Sequence, residues 1–189
     1  FVAFVGIGVI PVTSGKFVPA LGQPLFWLAF VIYVAVFPFV LHRVRTIPLP
    51  EATQPLLTII AAPASLCLTG YLASFTHPNL AFAAGMLIFA QCLYFLTLFS
   101  IRQYTRLSFY PSFAAFTFPL VISATALTRF IAIFASKGLV HNLLSVLQWG
   151  EWLVASLMLI FVTGHYLNFL RLTAKTVKQT ATATQEVSD

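Results

Sequence analysis

An all-α integral membrane fold follows from three features of this sequence: five complete apolar runs of bilayer-crossing length, a charged fraction of only 7%, and basic residues gathered at the ends of the runs. Soluble domains carry about 25% charged residues, whereas this chain is 60% hydrophobic with a mean hydropathy of +0.96. A helix needs about 20 predominantly apolar residues to cross the hydrocarbon core. In a soluble chain the net charge of +6 would suggest nucleic acid. Basic residues that flank apolar runs report topology instead, so the expected partner is the lipid bilayer and no nucleic-acid partner is expected.

The chain opens inside an apolar run, 1–10, which covers about 15 Å of helix, half a bilayer. It has no basic run-in of the signal-peptide kind. The expectation is the end of a truncated transmembrane helix with an upstream portion absent, which makes about five and a half transmembrane helices; the alternative is a short buried or re-entrant segment. Residues 11–172 form the expected membrane domain. Pro11 to Gly22 reads as a loop, with Thr13, Ser14, Gly15, Lys16 and Pro19.

The first complete span, 23–41, ends at His42-Arg43-Val44-Arg45. A loop with Pro48, Pro50 and Glu51 delivers the second span, 55–75, whose Pro55 falls in the first turn, where proline is tolerated. That span holds Ala61-Ala62-Pro63-Ala64-Ser65: small residues permit close helix approach, and Pro63 bends the helix. His77-Pro78-Asn79 forms a turn. The third span, 80–101, contains Gln91 as its one strongly polar interior residue, reads as straight and mostly lipid-facing, and ends at Arg102 and Arg106. The fourth, 113–134, contains Ala115-Phe116-Thr117-Phe118-Pro119-Leu120 and ends at Ala135-Ser136-Lys137-Gly138. The fifth, 142–170, encloses Glu151, and the polar remainder, 173–189, is expected to fray into a disordered cytoplasmic tail.

Charge sets the orientation. Arg43, Arg45, Arg102, Arg106, Arg171, Lys175 and Lys178 fall on one side and Lys16 and Lys137 on the other. The positive-inside rule then places the C-terminus in the cytoplasm, with Gly15, His77 and Lys137 outside.

The second and fourth spans are bent by proline, and the third and fifth have none. Such alternation implies repeated hairpins, each with a bent helix inward and a straight helix outward. A bend frees polar backbone that protein or a water-filled cavity must satisfy. A large aromatic beside it, Phe118, can therefore plug a pore; in a chain with 20 phenylalanines, lipid-facing or core packing is the competing reading.

No catalytic constellation is present, so no enzyme is expected, and no cofactor or metal site is expected. His42, His77, His141 and His165 lack metal-ligand spacing, and His165 reads as an interfacial residue. Glu186 and Asp189, two of the four acidic residues, sit in the tail. Cys67 and Cys92 read as buried small hydrophobes. A charge within the bilayer costs at least about 2.5 to 3.5 kcal/mol, so Arg129 and Glu151 need partners or water. Three readings stay open: a structural Arg129–Glu151 pair, snorkelling of Arg129 to the outer interface, and an anion-attracting charge at a pore mouth. The bent helices carry no mid-membrane Asp or Glu, and hydroxyls such as Ser65 and Thr117 with helix-end dipoles suit an anion better than a cation.

Phe1-Val-Ala-Phe-Val-Gly-Ile-Gly, Ala62-Pro63-Ala64-Ser65-Leu66-Cys67 with Gly70-Tyr71-Leu72, and Ala115-Phe116-Thr117-Phe118-Pro119 resemble the tellurite-resistance/dicarboxylate transporter family, which includes TehA and the slow-type anion channels. The resemblance extends to about Leu170 and corresponds to that family's C-terminal half. It implies a ten-helix fold of five hairpins, the odd-numbered helices ringing a pore in each protomer of a homotrimer. By the same resemblance Phe118 is the pore gate, with Phe116 as the fallback. Gly6, Gly8, Pro63, Ser65, Thr117 and Pro119 are the expected pore-lining set. The function expected is an anion channel or transporter for small anions or C4-dicarboxylates in the plasma membrane. The alternatives are a proton-coupled or efflux carrier of malate, sulfite or a toxic oxyanion, and a non-transporting membrane subunit or sensor.

Overall fold

The computed structural model describes the backbone of residues 2–14, 18–106, 108–135 and 137–188, and the side chains of 6–14, 18, 20–106, 108–135 and 137–175. Phe1, Gly15, Lys16, Ser136 and Asp189 lie outside the described residues, as do the side chains of Lys178 and Glu186. Six α-helices succeed one another: α1 (Val2–Ser14), α2 (Pro19–Thr46), α3 (Ala62–Ser74), α4 (Leu80–Tyr104), α5 (Thr117–Phe134) and α6 (Leu139–Ser188). No strand occurs among the described residues. Among the described residues five helical stretches are long and apolar enough to cross a membrane: Ala20–Thr46, Glu51–Ser74, Leu80–Tyr104, Pro111–Phe134 and Leu139–Lys175.

Two of these stretches are composite. Glu51–Ala61 is 3-10 helix and passes into α3, and Pro111–Phe116 is 3-10 helix and passes into α5. Each changeover falls just before a proline, Pro63 or Pro119. Proline has no N–H for the carbonyl four residues back and its ring crowds that carbonyl, so a tighter i→i+3 turn ahead of it relieves both problems. The bends expected at Pro63 and Pro119 therefore take the form of a change in helix type.

The composite spans are also the inner ones. The most apolar window is 72% buried in Glu51–Ser74 and 56% buried in Pro111–Phe134, against 17%, 28% and 11% in the first, third and fifth spans. α3 packs against α1, α2, α4 and α5, and α6 packs along α5. One apolar cluster joins Phe26, Leu68, Tyr71, Leu87, Leu127 and Phe130. A second joins Tyr94, Phe113, Phe116, Leu120, Ala155 and Val162.

Local chemistry sets the element ends. α2 starts on Pro19 and closes with Arg43 and Arg45 in its last turn, cations at the negative end of the helix dipole. Ile47 is extended, as a residue preceding proline must be. Asn79 caps α4 by accepting from Phe82 N at 3.1 Å, while its own N–H donates to the Tyr71 hydroxyl at 2.8 Å. Between α5 and α6, Gly138 adopts φ 94°, a conformation open to glycine. His141 Nδ1 closes that turn on Ala135 O at 2.7 Å.

Three expectations need correction. The stretch from Pro11 to Gly22 is mostly helix, because α1 continues through Pro11 to Ser14 and α2 begins at Pro19. The polar tail does not fray after residue 172: α6 runs to Ser188, and the stretch from Arg171 contains no glycine or proline to stop it. Cys92 is exposed on α4, and only Cys67 is buried.

Candidate functional site

Phe118 is the second residue of α5, immediately after the 3-10 segment, and it is 40% exposed although its span is largely buried. Its neighbours on the span point the other way. Phe116 is fully buried in the second cluster, its ring centroid 5.0 Å from that of Phe113, so this fallback aromatic is occupied as core. Thr117 is half-buried and its hydroxyl donates to Ala114 O at 2.8 Å. Pro119 is buried.

Of the remaining expected pore-lining residues, Gly6 lies on an open face of α1 with nothing within 4 Å of a Cβ built there. Gly8, Pro63 and Ser65 are enclosed by helix packing. A Cβ on Gly8 would sit 2.8 Å from Leu66 Cδ2, and one on Gly70 would sit 3.1 Å from Pro11 Cβ. These glycines let α1 cross close to α3. Gly6 and Phe118 are thus the exposed members of the set, on α1 and α5, two of the four helices that pack against α3.

The backbone freed by the Phe118-Pro119 bend is satisfied from the other composite span. Ala115 lies four residues before Pro119, so its carbonyl has no α-helical donor. Thr58, 2% exposed in the first 3-10 segment, lies with its hydroxyl 3.1 Å from Ala115 O and 2.8 Å from Pro55 O, and one proton serves both acceptors. Ser112 Oγ donates to Ala52 O at 2.6 Å, a second tie between the same two segments. Tyr166 on α6 donates to Pro111 O at 2.9 Å. The segment leading to Phe118 is therefore held from two sides. Sequence reasoning missed Thr58, although the vacancy at Ala115 was deducible from Pro119.

Arg129 and Glu151 do not pair. Glu151 is 1% exposed and neither carboxylate oxygen has a hydrogen-bond partner, Arg129 included. The hairpin register explains this. Thr128 accepts from Gln148 Nε2 at 3.0 Å and from Trp152 Nε1 at 3.2 Å, which sets Glu151 against Ser123 rather than Arg129. Ser123 and Arg129 are about 9 Å apart along α5. Gln91 of α4 also adjoins the carboxylate, and Tyr94, one turn on, lies beside it. Arg129 is half-buried and engages no acid.

The described residues contain no group of three potential metal ligands. His165 is exposed, stacks on Phe109 at 5.6 Å and donates from Nδ1 to Phe161 O at 3.0 Å. A cavity of about 380 Å³ between α2, α3 and α4 is lined by Phe30, Tyr33, Val34, Ala64, Phe82 and Met86 among others, too apolar to hold an anion. Compared with known proteins, the chain matches no family model, no curated protein and no solved structure.

Proposed function

We propose that this protein carries small anions or C4-dicarboxylates across a membrane and that Phe118 restricts the path. The observation that carries the reading is the open Phe118 ring at the 3-10 to α junction, between buried Phe116 and buried Pro119. A side chain at such a junction needs little backbone change to swing, because the two helix types differ by one hydrogen-bond partner. The chemistry of the inner helices agrees: α3 and α5 carry no Asp or Glu, and α5 carries Arg129. A cation path would lack ligands there.

The resemblance of the Ala62-Pro63 and Phe118-Pro119 stretches to tellurite-resistance/dicarboxylate transporters supports the same reading. With it go the proposals of a ten-helix, five-hairpin fold, a homotrimer and a plasma-membrane location, and the placement of the basic residues supports a cytoplasmic C-terminus. Replacing Phe118 by Ala in the full-length protein is expected to raise anion conductance several-fold in voltage-clamped membranes. Unchanged conductance at normal surface expression would remove Phe118 as the gate.

A second reading, carriage coupled to protons, is favoured by the buried and unpartnered Glu151. Saturable uptake driven by a pH gradient supports it over ohmic current. Absence of anion flux by the purified full-length protein in liposomes would leave a non-transporting subunit or sensor.

A further inference from the structure

Glu151 is the one acidic side chain held inside the spans, since Glu51 begins its span and Glu186 and Asp189 fall beyond the last. It faces three helices at once: α6 carries it, α4 presents Gln91 and Tyr94, and α5 presents Ser123. Four buried polar atoms there have no hydrogen-bond partner: both carboxylate oxygens, Gln91 Oε1 and Ser123 Oγ. The groups that adjoin the carboxylate, the Gln91 amide and the Ser123 hydroxyl, are both neutral. An ionised carboxylate there has no cation to offset its charge.

A proton on the carboxyl removes that charge. It turns one carboxyl oxygen into an O–H that can donate to Gln91 Oε1 or Ser123 Oγ, both without a partner otherwise. Burying an unpaired carboxylate in an apolar site costs far more than burying the neutral acid. The surroundings offer no substitute counter-charge. Tyr94 is the titratable side chain that α4 presents, α5 contributes Ser123 with Arg129 out of register, and Pro111–Phe116 contains no titratable side chain.

We propose that Glu151 is a proton-binding site within the membrane, and that the bound proton ties α6 to α4 and α5. Loss of the proton leaves a bare charge among the helices and requires either water or a displacement of α6. Because Ser123 shares α5 with Phe118, the site bears on the helix that carries the restriction. The proton site stands on the geometry alone; its use as the coupling site of a carrier rests on the transport reading above.

Infrared spectroscopy of the purified protein in lipid tests the site directly. At neutral pH exposed carboxyl groups are ionised, so the wild-type minus Glu151→Gln difference spectrum, in which lipid ester carbonyls and any other buried acid cancel, should contain the C=O stretch of one buried, protonated acid. Glu151→Gln preserves shape and neutrality, and the wild-type minus Glu51→Gln difference should lack the band. Ser123→Ala or Gln91→Ala, which keep the acid and remove a neighbour, should shift it. A wild-type minus Glu151→Gln difference without the band overturns the proposal whatever the other variants do. A band that behaves as expected, together with uptake indifferent to a pH gradient, retains the proton site and overturns its coupling role.

Discussion

The Thr58 hydroxyl reaches across from one proline-broken span to the carbonyl of Ala115 in the other, at 3.1 Å, and shares its one proton between that carbonyl, which Pro119 leaves without an N–H, and a nearer one. The same hydroxyl also lies 2.8 Å from Pro55 O within its own segment. One buried side chain thus ties together the two spans that form the interior of the fold.

Replacing Thr58 by Val keeps the shape and removes the donor. A buried carbonyl left without a partner costs about 1 to 3 kcal/mol, so thermal unfolding in detergent should shift downward, while Thr58→Ser should stay near wild type. The coupling with Pro119 is the sharper measurement. Pro119→Ala restores an N–H for Ala115 O, so Thr58→Val should cost about 1 kcal/mol less in that background. Strict additivity of the two substitutions would show that the Ala115 carbonyl is satisfied in some other way.

Asn79 joins two elements through two bonds, its side chain capping α4 and its N–H meeting the Tyr71 hydroxyl. Asn79→Ala removes the cap alone and should destabilise by about 1 kcal/mol, with Asn79→Asp or Asn79→Ser restoring most of it. Tyr71→Phe tests the other bond separately. Equal stability of Asn79→Ala and wild type would mean that α4 needs no side-chain cap.

The α1–α3 crossing depends on missing side chains. A Cβ at Gly70 would stand 3.1 Å from Pro11 Cβ and 3.8 Å from the Gly8 carbonyl oxygen, which is backbone and can yield little. Gly70→Val should therefore cost about 1 to 3 kcal/mol through overpacking. Gly85, with nothing within 4 Å, is the matched control on the surface of α4. Helix propensity favours Val over Gly at both positions, so a loss confined to Gly70 assigns the effect to the crossing, and equal losses at both would overturn that assignment.

Hydropathy and proline positions made much of the architecture legible. Five apolar stretches were visible because a bilayer demands uninterrupted apolar length, and Pro63 and Pro119 marked the breaks because proline removes a donor wherever it sits. The 3-10 segments were not visible, since periods of 3.0 and 3.6 residues are hard to separate in a run that is apolar all round. The length of α6 was hidden for the opposite reason: a polar stretch rich in Thr, Ala and Gln suggested a tail, whereas it contains no glycine or proline and the helix continues through it.

The candidate site was legible in part. Phe118 and Glu151 each stood out from the sequence, one beside a proline and the other as an acid among apolar residues. Their surroundings did not. The separation of Glu151 from Arg129 depends on a hairpin register fixed by Thr128, Gln148 and Trp152, three contacts that no local pattern announces. Gln91, the polar interruption of the third span, carried the one sequence hint that this helix also meets an interior group.

The eleven-residue 3-10 segment Glu51–Ala61 gives its span a reserve of length. A 3-10 helix advances about 2.0 Å per residue and an α-helix about 1.5 Å, so rewinding the segment as α-helix would draw its Glu51 end in by roughly 5 Å. That is close to one full α-helical turn, with α3 left where it is. Because Thr58 sits in the middle of the segment and holds Ala115, any such rewinding has to release or drag the stretch that leads to Phe118. The two inner spans are mechanically in series, and an axial movement in one becomes a rotation or pull at the other.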